Sequence, residues 1–350
     1  MKVWILIFVC MFSMPLLVAV LHFRMRKGQI LKIRQDARYF GRSFSSLVEK
    51  ALPEMKNGMI MLSRQEKVLE TDGNQKFVQP EIEDLVIARN TFFCPQQGDL
   101  HFQKEIYALF VKENIRLRAV YSKKRLLFGN TIRLLRWADA EHAVVVYDEC
   151  DLGERVSSGE QLVIGFDNIF HSLYAPVIRL GQRPEEPDRF MEERDPRIFR
   201  MPVMNSHEYN RHYIDDDMVT ESGTVPYTII SRGDIKVIED IILQGDIHSD
   251  ESVRIMENAS VLGNIFAEKD ILLEKNATVL GNIFTQGNII FEEGASAGQP
   301  GKITSVIARG KITFYGSNSV YGYVVSEGGG KILKSDREVL GEYCFPGEPV

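Results

Sequence analysis

Glu257-Asn-Ala-Ser-Val-Leu-Gly-Asn-Ile-Phe266 returns eighteen residues later as Lys275-Asn-Ala-Thr-Val-Leu-Gly-Asn-Ile-Phe284, and Gly245-Asp246-Ile247 keeps the same phase one period earlier. The eighteen-residue unit divides into three. Ile235, Ile241, Ile247, Val253, Ala259, Ile265, Ile271, Ala277, Ile283, Ile289 and Ala295 fall six apart. A second row follows two residues behind: Val237, Leu243, Ser249, Ile255, Val261, Ala267, Leu273, Val279, Thr285, Phe291 and Ala297. Strand side chains alternate faces, so each pair spaced by two is a short in-out-in strand. A helix of 3.6 residues per turn would spread a six-residue repeat around its circumference. Three strands per turn specify an all-β fold, a triangular parallel β-helix (solenoid), over 231–335.

A second stretch has the same grammar without the sequence likeness. Val120, Leu126, Ile132, Ala138, Val144, Cys150, Val156 and Leu162 are six apart, with Ser122, Phe128, Leu134, Ala140, Val146, Leu152, Ser158 and Ile164 two behind. This places solenoid-like structure in 81–180, with the pattern blurring at 84–112 and 168–180. Glycines belong at the corners, where the chain bends sharply and often needs φ > 0. The Asn of Gly-Asn-Ile is expected to satisfy corner backbone groups and to tolerate the left-handed region, and Asn258-Ala-Ser and Asn276-Ala-Thr, which match a glycosylation pattern, are read as corner residues.

Outside the repeats the chain divides further. Val3–Phe23 is an apolar run of the length a helix needs to cross a bilayer. It lacks the small-residue exit of a cleaved signal, so 1–23 is read as a transmembrane anchor. Lys2 precedes the run, whereas Arg24, Arg26, Lys27, Lys32, Arg34 and Arg38 follow it. This puts the N-terminus outside and the body in the cytoplasm, at the cytoplasmic membrane. Residues 24–80 read as a basic membrane-proximal stalk with one short amphipathic helix through Phe44, Leu47, Val48, Ala51 and Leu52, stopped by Pro53. The proline- and charge-rich stretch 181–230 reads as a linker or insertion, and 336–350 as a tail. The isolated cysteines form neither a disulfide framework nor a zinc site. A net charge of -6 and the absence of a basic, aromatic-interleaved stripe exclude a dedicated nucleic-acid binder.

The rungs ending in Val-Leu-Gly-Asn-Ile resemble those of the bactofilins, polymer-forming bacterial cytoskeletal proteins, over about 234–330. The resemblance implies a right-handed β-helix that polymerises end to end without nucleotide and positions cell-wall or morphogenetic proteins at the membrane. It implies a homopolymer and a role in cell shape. Handedness comes from the resemblance alone, because eighteen residues per turn serve either coil. A membrane span and a large additional region set this chain apart from the usual member.

Solenoid ends expose unpaired backbone groups, so end-to-end assembly is also expected on physical grounds. Phe314 and Tyr315, near Tyr321 and Tyr323, are the candidate apolar C-terminal end face; the alternative is that they fill the last rung. Phe266 with Phe284, and Leu272 with Ile290, form outward apolar pairs one turn apart. These either bind a partner or membrane, or lie under the chain's own linker. The enzymatic alternative is a hexapeptide-repeat acyltransferase, a left-handed coil with a histidine base, and His248 is the histidine within the repeats. Its glycine phase differs from Val261-Leu-Gly263, and a lone surface histidine is usually only surface. An inverted topology would instead give an exported envelope scaffold. His207, His212, Glu208 and Asp215–Asp217 lack ligand spacing, and Glu292-Glu293 read as solvated acids. No catalytic residue, cofactor or metal is assigned.

Overall fold

The computed structural model describes residues 41–62, 65–71, 81–88, 92–94, 115–182 and 224–335. Two solenoid halves, together about ten turns, make up the body. In the C-terminal half the strands stack in parallel, eighteen residues apart in all turns but one, as Ile247 with Ile265 and Ile265 with Ile283. One face stacks Thr224–Val225, Ile242–Leu243, Ser260–Val261, Thr278–Val279 and Ser296–Ala297. A second stacks Ile229–Ser231, Ile247–Ser249, Ile265–Ala267, Ile283–Thr285 and Thr304–Ala308. The third stacks Ile235–Val237, Val253–Ile255, Ile271–Leu273, Ile289–Phe291 and Ile312–Tyr315. The long strand Asn318–Leu333 then runs round all three faces as the last turn. One turn is longer: Ser296 pairs with Ser319, and a small bridge between Gln299 and Lys302 takes up the extra residues.

Both predicted rows line the interior. Their members in the C-terminal half, and those of 120–164, are all buried. The small polar members have a task at the corners. Ser249 Oγ donates to Gly233 O at 2.8 Å and accepts from Glu251 N at 3.0 Å, so a buried hydroxyl satisfies two turn groups at once. Thr285 and Ser158 repeat the device.

The corners differ from expectation in one respect. Positive φ falls on Asp240, Asn258 and Asn276, at 57–59°, on Thr131, Glu149 and Asp167 in the N-terminal half, and on Gly153, Gly294 and Gly316, but not on the Asn264 and Asn282 of Gly-Asn-Ile. Gly245, Gly263 and Gly281 are not in that region. A Cβ on Gly281 would lie 2.2 Å from Gly263 O, so these glycines permit close stacking of successive corners. Asn and Asp side chains also form ladders along the edges. Asn264 N donates to Asp246 Oδ1 at 2.6 Å, Asn282 N to Asn264 Oδ1 at 2.9 Å, and Ser305 N to Asn282 Oδ1 at 2.9 Å.

The N-terminal half starts from Met59–Met61 and Gln65–Thr71, which pair antiparallel. One face stacks Gln65–Thr71, Glu81–Ala88, Arg116–Ser122, Arg133–Ala140 and Arg155–Ser158. Another stacks Phe92–Cys94, Leu126–Phe128, Ala143–Val146 and Gln161–Ile164. The third runs through Arg116, Arg133, Asp151 and Ile169. Leu85 pairs with Ala119, a spacing well beyond eighteen, which is why the period is illegible at 84–112. The half ends in the long strand Asn168–Leu180.

Helix α1 (Ser43–Ala51), followed by a 3-10 turn at Leu52–Glu54 containing Pro53, is the predicted short helix. Residues 41–71, read from sequence as part of a stalk, thus contribute a helix and strands to the body. Phe44 and Val48 pack on Leu85, Ile87, Ala119, Tyr121 and Trp137, whereas Leu47 is exposed. The predicted span 3–23, most of the 181–230 linker and the 336–350 tail lie outside the described residues. Among the described residues no helix is long and apolar enough to cross a membrane.

Candidate functional site

The two halves meet at their C-terminal ends. Strands Asn168–Leu180 and Asn318–Leu333 pair antiparallel in three runs. Asn168–Phe170 faces Ile332–Gly330, Ser172–Ala175 faces Val325–Gly322, and Ile178–Leu180 faces Val320–Asn318. Register shifts separate the runs, at Phe170/Ser172 and Ala175/Ile178. These are the corners of the triangle, and Pro176 sits in the second, where no ladder N–H is needed. All three faces therefore continue from one half into the other, and the last-turn edges of both halves are paired within the chain.

Aromatic side chains fill this joint. Phe314 stacks on Phe291 at 4.6 Å and faces Phe170, from the other half, at 6.2 Å. The Phe170 ring occupies the space beside Gly330, where a Cβ would lie 2.1 Å from it. Tyr174 meets Tyr323 at 4.6 Å on the outside. At the rim, Asp167 N donates to Ile332 O at 2.7 Å, Ser317 Oγ donates to Gly181 O at 2.8 Å, and Lys334 lies 3.4 Å from the Asp167 carboxylate. The expectation for Phe314 and Tyr315 needs correcting accordingly. Phe314 is fully buried, and Tyr315 pairs with Leu333 of the last turn. Neither lies on an open end face, because the other half of the chain already occupies that end.

The outer apolar pairs separate into two cases. Phe266 and Phe284 stack at 5.4 Å with ring planes 9° apart, both part-exposed. His248 adds a third ring, 4.7 Å from Phe266 and 13° off parallel. The outward positions of this face continue through Ile230 on one side and Ile307 and Val325 on the other. Leu272 and Ile290 sit on a different face and are only 6% and 5% exposed, so they form no open stripe. Reading every eighteenth residue outward from 230 would have found Ile230 and His248. The longer turn before Thr304 shifts the phase and hides Ile307 and Val325.

His248 is about half exposed and lies 3.8 Å from the Asp250 carboxylate. Glu292, read as a solvated acid, is half-buried, and burial, then the neighbouring Glu274, push its pKa upward. The histidines and acids of 207–217 lie outside the described residues. Among the described residues no cluster of His, Cys, Asp or Glu could hold a metal ion.

On the N-terminal half the face that continues this aromatic column is covered by α1. The contacts follow the solenoid axis turn by turn. Gly41 lies against the Tyr174 ring, Arg155 donates to Ser43 Oγ at 3.2 Å, Phe44 meets Trp137 at 5.1 Å, and Tyr121 OH donates to Glu49 Oε1 at 2.9 Å. Arg42 anchors the start, with Nη2 2.7 Å from Asp139 Oδ1 and 2.6 Å from Glu141 Oε1. Asp139 is fully buried and also accepts from Ser157. Burial pushes its carboxyl up to about 6 despite the guanidinium. The Arg42 hydrogen bond holds Glu141 below the usual carboxylate range.

Family models, curated proteins and solved structures were compared with the chain, and none matches.

Proposed function

We propose that this protein is a structural scaffold: a β-solenoid body, anchored to the cytoplasmic membrane through 3–23, that self-assembles end to end without nucleotide and positions envelope or cell-shape proteins. The observation that carries this reading is the joint. Two triangular solenoid ends already pair strand to strand across three faces within one chain, so this sequence contains working end-to-end contact chemistry. The resemblance of 234–330 to the bactofilins supports the same reading. Because both last turns are consumed in the joint, assembly between chains uses the opposite edge of the C-terminal half. There the strand Ile229–Ser231 pairs with Ile247–Ser249 on one side and, among the described residues, with no strand on the other.

Negative-stain electron microscopy of residues 41–350, without nucleotide or lipid, tests the reading. Assemblies of two or more chains are expected, and they should disappear when proline replaces Ile230, which removes an edge donor. Particles of single-chain size at every concentration, both in solution and with the intact chain in a bilayer, would refute self-assembly. Protease shaving of intact cells tests the orientation, and digestion of the body from outside would overturn the cytoplasmic placement.

A further inference from the structure

We infer that the column Ile230–His248–Phe266–Phe284–Ile307–Val325 is the docking strip for a basic amphipathic helix of a partner protein, lying along the solenoid axis. The strip runs along the side of the solenoid and meets the assembly edge only at Ile230, so the inference stands whether or not chains assemble there. The strip belongs to the same continuous face that α1 covers on the other half. Ser172 and Tyr174 pair with Val325 and Tyr323, which pair in turn with Ile307 and Ser305. On the N-terminal side, outward Leu85, Ala119, Tyr121 and Trp137 are buried or part-buried under Phe44 and Val48. On the C-terminal side, outward residues of similar character remain part-exposed or exposed.

The geometry suits a helix. Neighbouring strands are about 4.8 Å apart, so five steps from Ile230 to Val325 span about 24 Å. A helix of about 16 residues has that length, and its pitch of about 5.4 Å brings one apolar side chain per turn close to each outward ring. α1 already runs in this direction, passing Tyr174, Arg155, Trp137 and Tyr121 in order.

Charge narrows the occupant. Exposed or part-exposed carboxylates of Asp246, Asp250, Glu251 and Glu268 flank the His248–Phe266 segment, with Lys269 among them paired to Glu251 and the exposed Arg232 and Arg309 lying beyond it beside Ile230 and Ile307. On the N-terminal half the helix likewise brings Arg42 onto Asp139 and Glu141. An acidic rim disfavours anionic lipid and a second copy of the same rim, and favours a helix with Lys or Arg beside its apolar stripe.

The test uses the full chain in zwitterionic nanodiscs and a fluorescein-labelled 16-residue Leu/Lys amphipathic peptide, read by anisotropy against empty nanodiscs. Saturable binding is expected, weakened at least tenfold by Phe266→Ser/Phe284→Ser. Both positions point outward, so an unchanged melting profile should accompany the loss. A Leu/Glu peptide of the same pattern should bind at least tenfold more weakly than the Leu/Lys peptide. Equal binding to wild type and variant, or equal binding of the two peptides, would overturn the inference. So would sedimentation showing that the variant abolishes self-association, which makes a second copy the occupant. Binding of anionic vesicles by residues 41–350, lost in the variant, would assign the strip to lipid. A photo-crosslinker at position 284 that captures a segment of its own chain would also refute it.

Discussion

Phe170 and Gly330 give the sharpest test of the joint. Phe170 is 2% exposed, and its ring fills the space where a Gly330 side chain would stand. Its ring neighbours named above, Gly330 and Phe314, belong to the other half, so Phe170→Ala removes contacts that cross the joint. Truncating a buried phenylalanine costs about 3–5 kcal/mol. If that cost falls on association of the halves, it raises their dissociation constant by about two to three and a half decades at about 1.4 kcal/mol per decade. The assay places a protease site between residues 183 and 223, cuts the chain, and follows association of the two pieces by sedimentation. The cut wild type should stay together at micromolar concentration, because three runs of backbone pairs and a filled interior hold it. Gly330→Ala should weaken association by about 1–3 kcal/mol through overpacking, since the new Cβ would lie 2.1 Å from the ring. In the Phe170→Ala background the obstacle is gone, so Gly330→Ala should then cost almost nothing. The two substitutions must couple. Additive effects, or halves that separate freely in the wild type, would refute the joint as described.

Three further outcomes follow from the same geometry. Arg42→Ala should undock α1 and change the emission of Trp137, read in a Trp4→Phe background. Its effect should shrink with acid. Burial raises Asp139 from 3.8 to about 6, so its contribution to stability is complete below about pH 4 and is lost as pH rises through 6. Without the guanidinium the carboxyl rises further, so the deficit of Arg42→Ala should be larger at pH 8 than at pH 5, and a pH-independent deficit would contradict the clasp. Gly281→Ala should lower the urea midpoint by more than Gly301→Ala does. The first Cβ meets Gly263 O at 2.2 Å, whereas the second meets nothing within 4 Å and faces only the strain of φ +80°, about 1 kcal/mol. Cys150 is buried, and burial pushes its thiol up to about 12, so iodoacetamide at pH 8 should modify it only after unfolding, as peptide mass spectrometry would show.

The interior was legible because a triangular solenoid repeats one constraint. Every sixth residue and its second neighbour must face the lumen, and Val261 or Leu134 obeys that rule whatever the surroundings. The corner glycines were legible as corners but not in their mechanism. Sequence alone cannot separate a residue that needs φ > 0, such as Asn276, from one that needs a missing Cβ, such as Gly281. Burial of outward residues was not legible at all. Phe284 and Ile290 look alike in the repeat, yet one is part-exposed and the other 5% exposed.

The joint was hidden for a different reason. Parallel stacking of turns writes a period into the sequence, because each residue meets its own equivalent. Antiparallel pairing of two ends has no such requirement: Tyr174 meets Tyr323 and Phe170 meets Gly330, partners with no common position in any repeat. The six-residue pattern fades at 168–180 because the stacking distance shortens there, from eighteen residues at Asp151/Ile169 to seventeen at Val156/Leu173 and sixteen at Leu162/Ile178, while the other edge of the same turn meets the second half. The strand Asn318–Leu333 keeps the eighteen-residue spacing at Thr304/Gly322 and Ile312/Gly330, with Gly322 at φ 131° and three consecutive glycines at 328–330. A solenoid sequence therefore announces its body and conceals its contacts. At 168–180 the chain meets the other half of the molecule as well as its own preceding turn.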